Sequence, residues 1–113
     1  MARQSLPVAL TAVLLPAVLL TSAKQPTSLP GTLELHNRRW ERVRVEVRVG
    51  PSENCDRNEA HGPTVLRRDE SWAVVSDEIV CWRRDRLPGD ASGGWTAWEH
   101  TRLASNEVRD VTL

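Results

Sequence analysis

The eight residues from Arg42 to Val49 read Arg-Val-Arg-Val-Glu-Val-Arg-Val and constrain the fold more than any other stretch of the chain. Successive side chains of a strand point to opposite faces, so the valines share one face and the charged residues share the other. β-Branched residues at this spacing favour a strand over a helix. Because an apolar sheet face must be buried against a second layer, the pattern predicts a layered β fold.

Other short segments of the same kind follow, separated by turn residues. They are Thr32–His36, Thr64–Arg67, Ser71–Ser76, Ile79–Arg84, Trp95–Leu103 and Val108–Leu113. Their spacing of about ten residues, without any helical period, predicts an all-β fold: a small antiparallel β-sandwich of about seven short strands, the size of an immunoglobulin domain. A small barrel is the alternative.

The connections between these strands are also predictable from composition. Asn37–Arg39 is expected to turn the chain so that Thr32–His36 and Arg42–Val49 form an antiparallel hairpin. The polar stretch Glu53–Gly62 and the glycine-rich stretch Asp85–Gly94 are expected to be loops.

The first residues have the features of a secretory signal peptide. Arg3 precedes an apolar run from Leu6 to Leu20, and the small residues Thr21–Ala23 follow it. The run contains Pro16 and is shorter than the ~20 residues that cross a bilayer, which argues against a membrane anchor. We predict a signal peptide at 1–23, a flexible lead-in at 24–31 and one β-sandwich domain at 32–113. The mature chain is then secreted or periplasmic, without a membrane span.

The charge balance argues against general nucleic-acid binding. The chain has 15 basic and 15 acidic residues, and loss of Arg3 with the leader leaves 14 against 15, a net charge of −1 with histidine neutral. Proteins that bind nucleic acids without sequence specificity usually carry a large positive net charge.

Cys55 and Cys81 are the only cysteines and are predicted to form a disulfide in an oxidising compartment. Closing a loop of this length stabilises a small domain by roughly 3–4 kcal/mol in the chain-entropy model. A redox or metal site at these cysteines is not favoured, because there is no Cys-x-x-Cys and no histidine at ligand spacing.

No catalytic motif is visible in the sequence, and no cofactor or metal is predicted. His36, His61 and His100 are scattered along the chain and are expected to lie on the surface. The carboxylates lie mostly where turns favour them. A carboxylate pair of the glycosidase type cannot be singled out from the sequence, and we predict that the protein is not an enzyme.

Tryptophan is the only aromatic residue type, with five copies. Trp72 and Trp82 lie in apolar strands and are expected to fill the core. Trp95 and Trp98 differ in parity, so on one regular strand they face opposite sides and one is near solvent. Trp40 lies near the tip of the predicted hairpin. An exposed tryptophan beside loops stacks on sugars or anchors a protein partner.

Arginine is the second candidate binding group. Arg42, Arg44 and Arg48 share the polar face of the central strand with Glu46, while Arg83 and Arg84 lie at the start of the predicted long loop. Guanidinium groups bind carboxylates, sulfates and phosphates. The simpler alternative is a solvated sheet face with cross-strand ion pairs to residues such as Glu34, each contributing little.

These observations leave three functional classes open. We favour a small exported binding module for a protein or an anionic polymer of the cell envelope, because no catalytic constellation is visible. A carbohydrate-binding domain that uses exposed tryptophan is the first alternative, and a small secreted hydrolase is the second. The candidate binding residues are Trp40, Arg42, Arg44, Arg48, Arg83, Arg84, Trp95 and Trp98.

Overall fold

A computed structural model describes residues 29–113 of the chain. The predicted signal peptide, and the predicted lead-in up to residue 28, lie outside the described residues. Within 29–113 there is no helix of the length and apolar character that crossing a membrane requires.

The described residues form nine strands and one short 3₁₀ helix at Cys55–Arg57. In chain order the strands are β1 Gly31–His36, β2 Arg42–Gly50, β3 Glu59–Ala60, β4 Thr64–Arg67, β5 Ser71–Ser76, β6 Ile79–Leu87, β7 Asp90–Trp95, β8 Glu99–Arg102 and β9 Val108–Thr112. The prediction of a small all-β, sandwich-like fold is therefore confirmed.

The strands divide into two sheets. In the three-stranded sheet, of order β9-β1-β5, β1 runs antiparallel to β5 and parallel to β9. In the six-stranded sheet β2 pairs with β6 on one side and with β4 and β3 on the other, and β6 also pairs with β7 and β8. The parallel β1–β9 pair is the departure from the expected antiparallel pairing.

The core lies between apolar faces of the two sheets. Leu33 and Leu35 of β1 pack with Val43, Val45 and Val47 of β2, and all five are at most 1% exposed. Burying a side chain of this size contributes roughly 1.5–3 kcal/mol. The expected burial of the central valine face is therefore confirmed, with Val49 partly buried at its edge.

The predicted hairpin between β1 and β2 is wrong, because the two strands lie in different sheets. Asn37 turns the chain from one sheet to the other. Its buried amide donates to the carbonyls of Trp40 at 2.9 Å and Leu66 at 3.0 Å, and its oxygen accepts from the Trp40 N–H at 3.1 Å. When β1 and β2 lie in opposite sheets, the apolar face of each strand covers that of the other. In a hairpin the two apolar faces would lie side by side in one sheet and would need a further layer to bury them.

The two predicted loops contain more regular structure than expected. β6 and β7 form a hairpin whose two-residue turn is Pro88-Gly89, and Gly89 has a φ of +89° that favours glycine. Glu59–Ala60 pairs with the end of β2. Conversely, the predicted strand Trp95–Leu103 is interrupted at residues 96–98.

The domain begins slightly before the predicted boundary. β1 starts at Gly31, which is buried, and the Leu29 N–H donates to the Ser105 hydroxyl at 3.1 Å. Residues 29–31 are thus joined to the β8–β9 connection, which the composition of the lead-in did not indicate.

The Cys55–Cys81 disulfide is confirmed. It joins the 3₁₀ helix to β6 with a Cα–Cα distance of 5.8 Å, and both cysteines are buried. Together with Ile79 they form a small second cluster, on which Trp98 packs. The disulfide therefore ties the predicted Glu53–Gly62 loop to the centre of the six-stranded sheet.

Candidate binding site

The outer face of the six-stranded sheet carries most of the candidate residues. Glu46 of β2 lies opposite Arg83 of β6, so Arg44 and Arg48 share this outer face with Arg83 and Asp85. The alternation that buries the valines therefore places the predicted arginines together on the opposite side.

Three of these arginines interleave with two tryptophans in a single row. Arg44 lies 4.4 Å from the Trp95 ring centroid, and Arg83 lies 5.2 Å from Trp95 and 4.1 Å from Trp98. Arg48 completes the row at 5.8 Å from Trp98. We call Arg44, Trp95, Arg83, Trp98 and Arg48 the Arg–Trp ladder. Each cation–π contact contributes roughly 0.5–2 kcal/mol, depending on its exposure to water.

The ladder corrects the expectation that Trp95 and Trp98 face opposite sides. Both rings contact the same Arg83 side chain, and both are half-buried. The alternation fails because residues 96–98 interrupt the strand, which the parity argument assumed to be regular.

Two buried carboxylates neutralise most of the ladder's charge. Glu46 binds Arg83 at 2.7 Å and Arg48 at 3.2 Å, and Asp85 binds Arg44 at 2.8 Å. The side chains of Glu46 and Asp85 are 9% and 3% exposed. The ladder is thus an internally paired polar layer rather than a solvated face. Glu34, the expected ion-pair partner, lies in the other sheet.

Arg84 is separated from Arg83 because adjacent strand residues point to opposite faces. It lies opposite Val45 and is directed to the inner side of the sheet, where its guanidinium stacks on Trp40 at 4.5 Å. Arg39 also stacks on Trp40, at 4.6 Å. The predicted arginine candidates therefore divide between two surfaces.

Beside the ladder, an open groove of about 1060 Å³ runs along the beginning of β2. One wall is formed by β2 and β4, and the other by the turn of the β6–β7 hairpin. We call it the Arg groove; its lining comprises Trp40, Glu41, Arg42, Val43, Arg44, Val65, Arg67, Asp85, Pro88, Gly89 and Ala91. It brings the predicted residues Trp40, Arg42 and Arg44 together.

The most unusual charges of the groove are those of Arg42 and Arg67. They are directly opposite partners in the β2–β4 register, and both are exposed. Like charges in opposed positions destabilise a strand pair. Among residues 29–113 neither guanidinium forms an ion pair, whereas Arg44, the member of the ladder that also lines the groove, is held by Asp85.

Arg67 and Val65 were missed as candidate site residues. Both lie in a strand that was predicted from the sequence, but the pairing of that strand with β2 was not. A four-residue strand carries too little pattern to indicate its partner or register. Only this pairing shows that Arg67 lies next to Arg42 in the groove.

On the hairpin wall, Asp90 is held ionised by its neighbour. The Ser92 hydroxyl donates to its carboxylate at 2.6 Å and the Ser92 N–H at 3.0 Å, and these bonds lower the pKa of Asp90. These two bonds also hold the backbone at the beginning of β7, directly after the hairpin turn that forms one wall of the groove.

His36 does not lie on the surface as expected, while His61 and His100 are exposed. The His36 ring bonds to the Ser71 hydroxyl through Nδ1 at 2.6 Å and to Asp110 through Nε2 at 2.8 Å. These are the residue types of a hydrolase triad, but they lie on paired strands of the three-stranded sheet, and the Arg groove includes none of them.

Comparison of the chain with protein-family models, curated proteins and solved structures finds no match. A function for this chain therefore has to come from its own geometry.

Proposed function

We propose that this protein is a small exported binding module that docks an acidic, partly apolar protein segment in the Arg groove. The observation that carries the proposal is the opposed pair Arg42 and Arg67, whose guanidinium groups lack ionic partners within residues 29–113. A carboxylate bound between them would relieve their repulsion and accept hydrogen bonds from both.

The remaining lining favours a protein segment over a purely ionic polymer. Val65 stands half-exposed beside the two arginines, and Trp40 and Pro88 complete the apolar part of the groove. Tryptophan and arginine are the residues most enriched at the energetic centres of protein interfaces. A ligand that combines carboxylates with apolar side chains uses the whole lining, whereas a polyanion uses only its charge.

The site is also held rigidly. Arg42 is paired with Arg67 of β4 on one side, and on the other side of β2 the Asp85 carboxylate accepts from the Arg44 backbone N–H at 2.8 Å. Side chains projecting from paired strands lose less conformational freedom on binding than side chains of loops, and this favours affinity.

The tryptophans are less suited to sugar stacking. Trp40, Trp95 and Trp98 each have at least two guanidinium groups within 5.8 Å of the ring centroid. A sugar ring would have to displace such a group and its cation–π contact before stacking. The proposal therefore assigns Trp95 and Trp98 to holding arginines, and Trp40 both to that role and to the lining of the groove.

The proposed location outside the cytoplasm has two supports. The leader has a signal-peptide pattern, and the Cys55–Cys81 disulfide is of a kind that persists in oxidising compartments. The proposal includes no catalytic step.

The test is a calorimetric titration of residues 24–113 with an eight-residue peptide that alternates Glu with Leu. We expect binding that weakens as NaCl rises from 50 to 500 mM, because the charges involved are exposed and screened. The same peptide with Gln in place of Glu should not bind. Dextran sulfate tests the polyanion alternative, and tighter binding of dextran sulfate than of the peptide would contradict the proposed partner class.

The double variant Arg42→Gln/Arg67→Gln should weaken peptide binding at least about tenfold, because each charged hydrogen bond contributes roughly 1.5–3 kcal/mol. The matched control is Arg57→Gln/Arg102→Gln, which removes the same charge at two exposed positions outside the groove. Equal losses in both variants would show a general effect of net charge and would refute the site.

A further inference from the structure

A second cluster of polar side chains lies on the outer face of the three-stranded sheet, away from the Arg groove. It consists of Glu34 and His36 on β1 and Asp110 on β9, and we call it the His36 cluster. One ligand atom from each residue lies within 4.8 Å of the other two. The ring nitrogen Nε2 of His36 is 2.8 Å from Asp110 Oδ1 and 3.7 Å from Glu34 Oε1.

The electrostatics of this cluster are unfavourable without a cation. Glu34 and Asp110 are direct partners across the β1–β9 pair, so two carboxylates stand opposite each other. Within residues 29–113 neither of them forms an ion pair with an arginine. Their only charged or chargeable partner in that range is the ring of His36, which is about nine-tenths buried.

The His36 ring is oriented from its other side. Nδ1 lies 2.6 Å from the Ser71 hydroxyl on β5. The Arg38 guanidinium lies 3.5 Å from the same nitrogen and, because it can only donate, bonds to it only in the tautomer protonated at Nε2. When Nδ1 carries the proton it donates to Ser71, and the Nε2 lone pair then points at the two carboxylates. Metal-binding histidines are held in this way, with the non-ligating N–H donated to a fixed acceptor.

We propose that the His36 cluster is a binding site for a late first-row divalent cation, with Zn²⁺ as the representative ion. One imidazole and two carboxylates, completed by water, form a three-residue zinc ligand set of the open kind. Ligand atoms about 2.0–2.1 Å from a tetrahedral zinc ion are about 3.4 Å apart. The two separations from His36 Nε2, 2.8 and 3.7 Å, lie on either side of that value, and the two carboxylate oxygens lie within 4.8 Å of each other, so binding requires the carboxylates to adjust around the ion. Any proton on Nε2 moves to Nδ1 or is released to solvent.

The sheet supplies the ligands and an access route together. β1 contributes two ligands at alternate positions of one face, and the partner strand contributes the third in register. The Asp110 side chain is two-thirds exposed, so an ion and its water ligand can reach the site from solvent. The groove and its proposed ligand play no part in this site.

The same residues include a Ser71–His36–Asp110 chain, which suggests nucleophilic catalysis as the competing function. The two functions differ in their need for Glu34. A triad uses the Ser71 hydroxyl and has no role for Glu34, whereas a zinc site uses Glu34 as a ligand and Ser71 only to position the ring.

The experiment is calorimetric titration of residues 24–113 with ZnCl₂ in a non-chelating buffer, together with NMR of the imidazole nitrogens. We expect one ion per chain, nitrogen shifts confined to the His36 ring among the three histidines, and no comparable binding of Ca²⁺ or Mg²⁺. Asp110→Asn and Glu34→Gln, which keep side-chain shape at solvent-accessible positions, should each weaken Zn²⁺ binding at least about tenfold. Ser71→Ala should weaken it about 10–100-fold through loss of ring orientation.

The controls are His61→Gln and His100→Gln, which change the exposed histidines and should leave Zn²⁺ binding unaltered. Unchanged binding in Asp110→Asn and Glu34→Gln, no binding by the parent protein at 100 µM Zn²⁺, or loss of binding in the controls would each overturn the proposal. Hydrolysis of an activated ester that is abolished by Ser71→Ala and unaffected by Glu34→Gln would assign the cluster to catalysis instead.

Discussion

Asp85 is the residue whose replacement tests the Arg–Trp ladder most severely. Its side chain is only 3% exposed and is bound to a single residue, Arg44. It accepts hydrogen bonds from the Arg44 backbone N–H at 2.8 Å and from Nε at 2.9 Å, and it forms an ion pair with Nη2 at 2.8 Å. Asp85→Asn keeps the shape but removes the charge, and it turns one oxygen into an NH₂ group that faces a donor of Arg44.

The expected loss can be estimated from these contacts. Breaking a fully buried ion pair costs about 3–5 kcal/mol, and a hydrogen bond to a charged group contributes roughly 1.5–3 kcal/mol. The Arg44 side chain is 32% exposed, so water partly solvates the freed guanidinium and the loss falls toward the lower end. We expect Asp85→Asn to lower the free energy of unfolding by about 2–4 kcal/mol, out of roughly 5–10 kcal/mol for a domain of this size.

Urea unfolding followed by tryptophan fluorescence, with the disulfide intact, measures this change. With a slope of about 1 kcal/mol per M, the midpoint should fall by about 2 M or more. Asp77→Asn is the matched control, since the Asp77 side chain is exposed and makes no hydrogen bond within residues 29–113; its effect should stay within about 0.5 kcal/mol. A loss below about 1 kcal/mol in Asp85→Asn would refute the view that the ladder is an internally paired layer.

Three further predictions concern the core, the crossover and one carboxyl group. Leu35→Ala should lower the free energy of unfolding by about 2–5 kcal/mol in the same assay, because Leu35 is fully buried, while Val75→Ala at an exposed position should change it little. Asn37→Ala should cost about 1–3 kcal/mol or more, because it leaves the carbonyls of Trp40 and Leu66 without their donor. Ser92→Ala should raise the pKa of Asp90 toward its ordinary value in an NMR titration. Since that pKa is lowered in the folded state, Asp90 stabilises the fold at pH values above its pKa in the unfolded chain. This stabilisation is lost as the pH falls through the pKa of Asp90 in the folded protein, and the variant should lose less stability over that pH range.

The strands of this fold follow from local patterns, and their partners do not. Alternating valines were enough to predict β2, its buried face and the need for a second layer. The same pattern carries no information on whether β1 pairs with β2 or covers it from the opposite sheet. That choice involves Asn37, whose buried amide bonds to the backbone of the neighbouring Trp40 and also to the Leu66 carbonyl, 29 residues away, a partner that no local pattern indicates.

The candidate site was predictable in composition but not in arrangement. Arg42, Arg44 and Trp40 were selected from the sequence and do line one groove. The place of Arg67 in the groove depends on the register between β4 and β2, which the four residues of β4 cannot specify. The ladder could not be predicted because the strand is interrupted after Trp95. This interruption places Trp98 on the same face of the sheet as Trp95, and side-chain alternation alone cannot reveal it.

The His36 cluster shows a similar limit. Asp110 is far in sequence from Glu34 and His36, and it joins them only because the last strand runs parallel to the first. Parallel pairing of two short terminal strands leaves no local signal in the sequence, so a scattered histidine looked like a surface residue.

The central claim is that Arg42 and Arg67 together bind a carboxylate of the partner, and side-chain NMR tests it most directly. The Nε–H resonances of the arginines can be followed while the Glu–Leu peptide is added. We predict saturable shifts at Arg42 and Arg67, with Arg48 and Arg83 of the ladder unmoved. Peptide binding that leaves Arg42 and Arg67 unshifted, or shifts that spread equally to Arg57 and Arg102, would contradict the account.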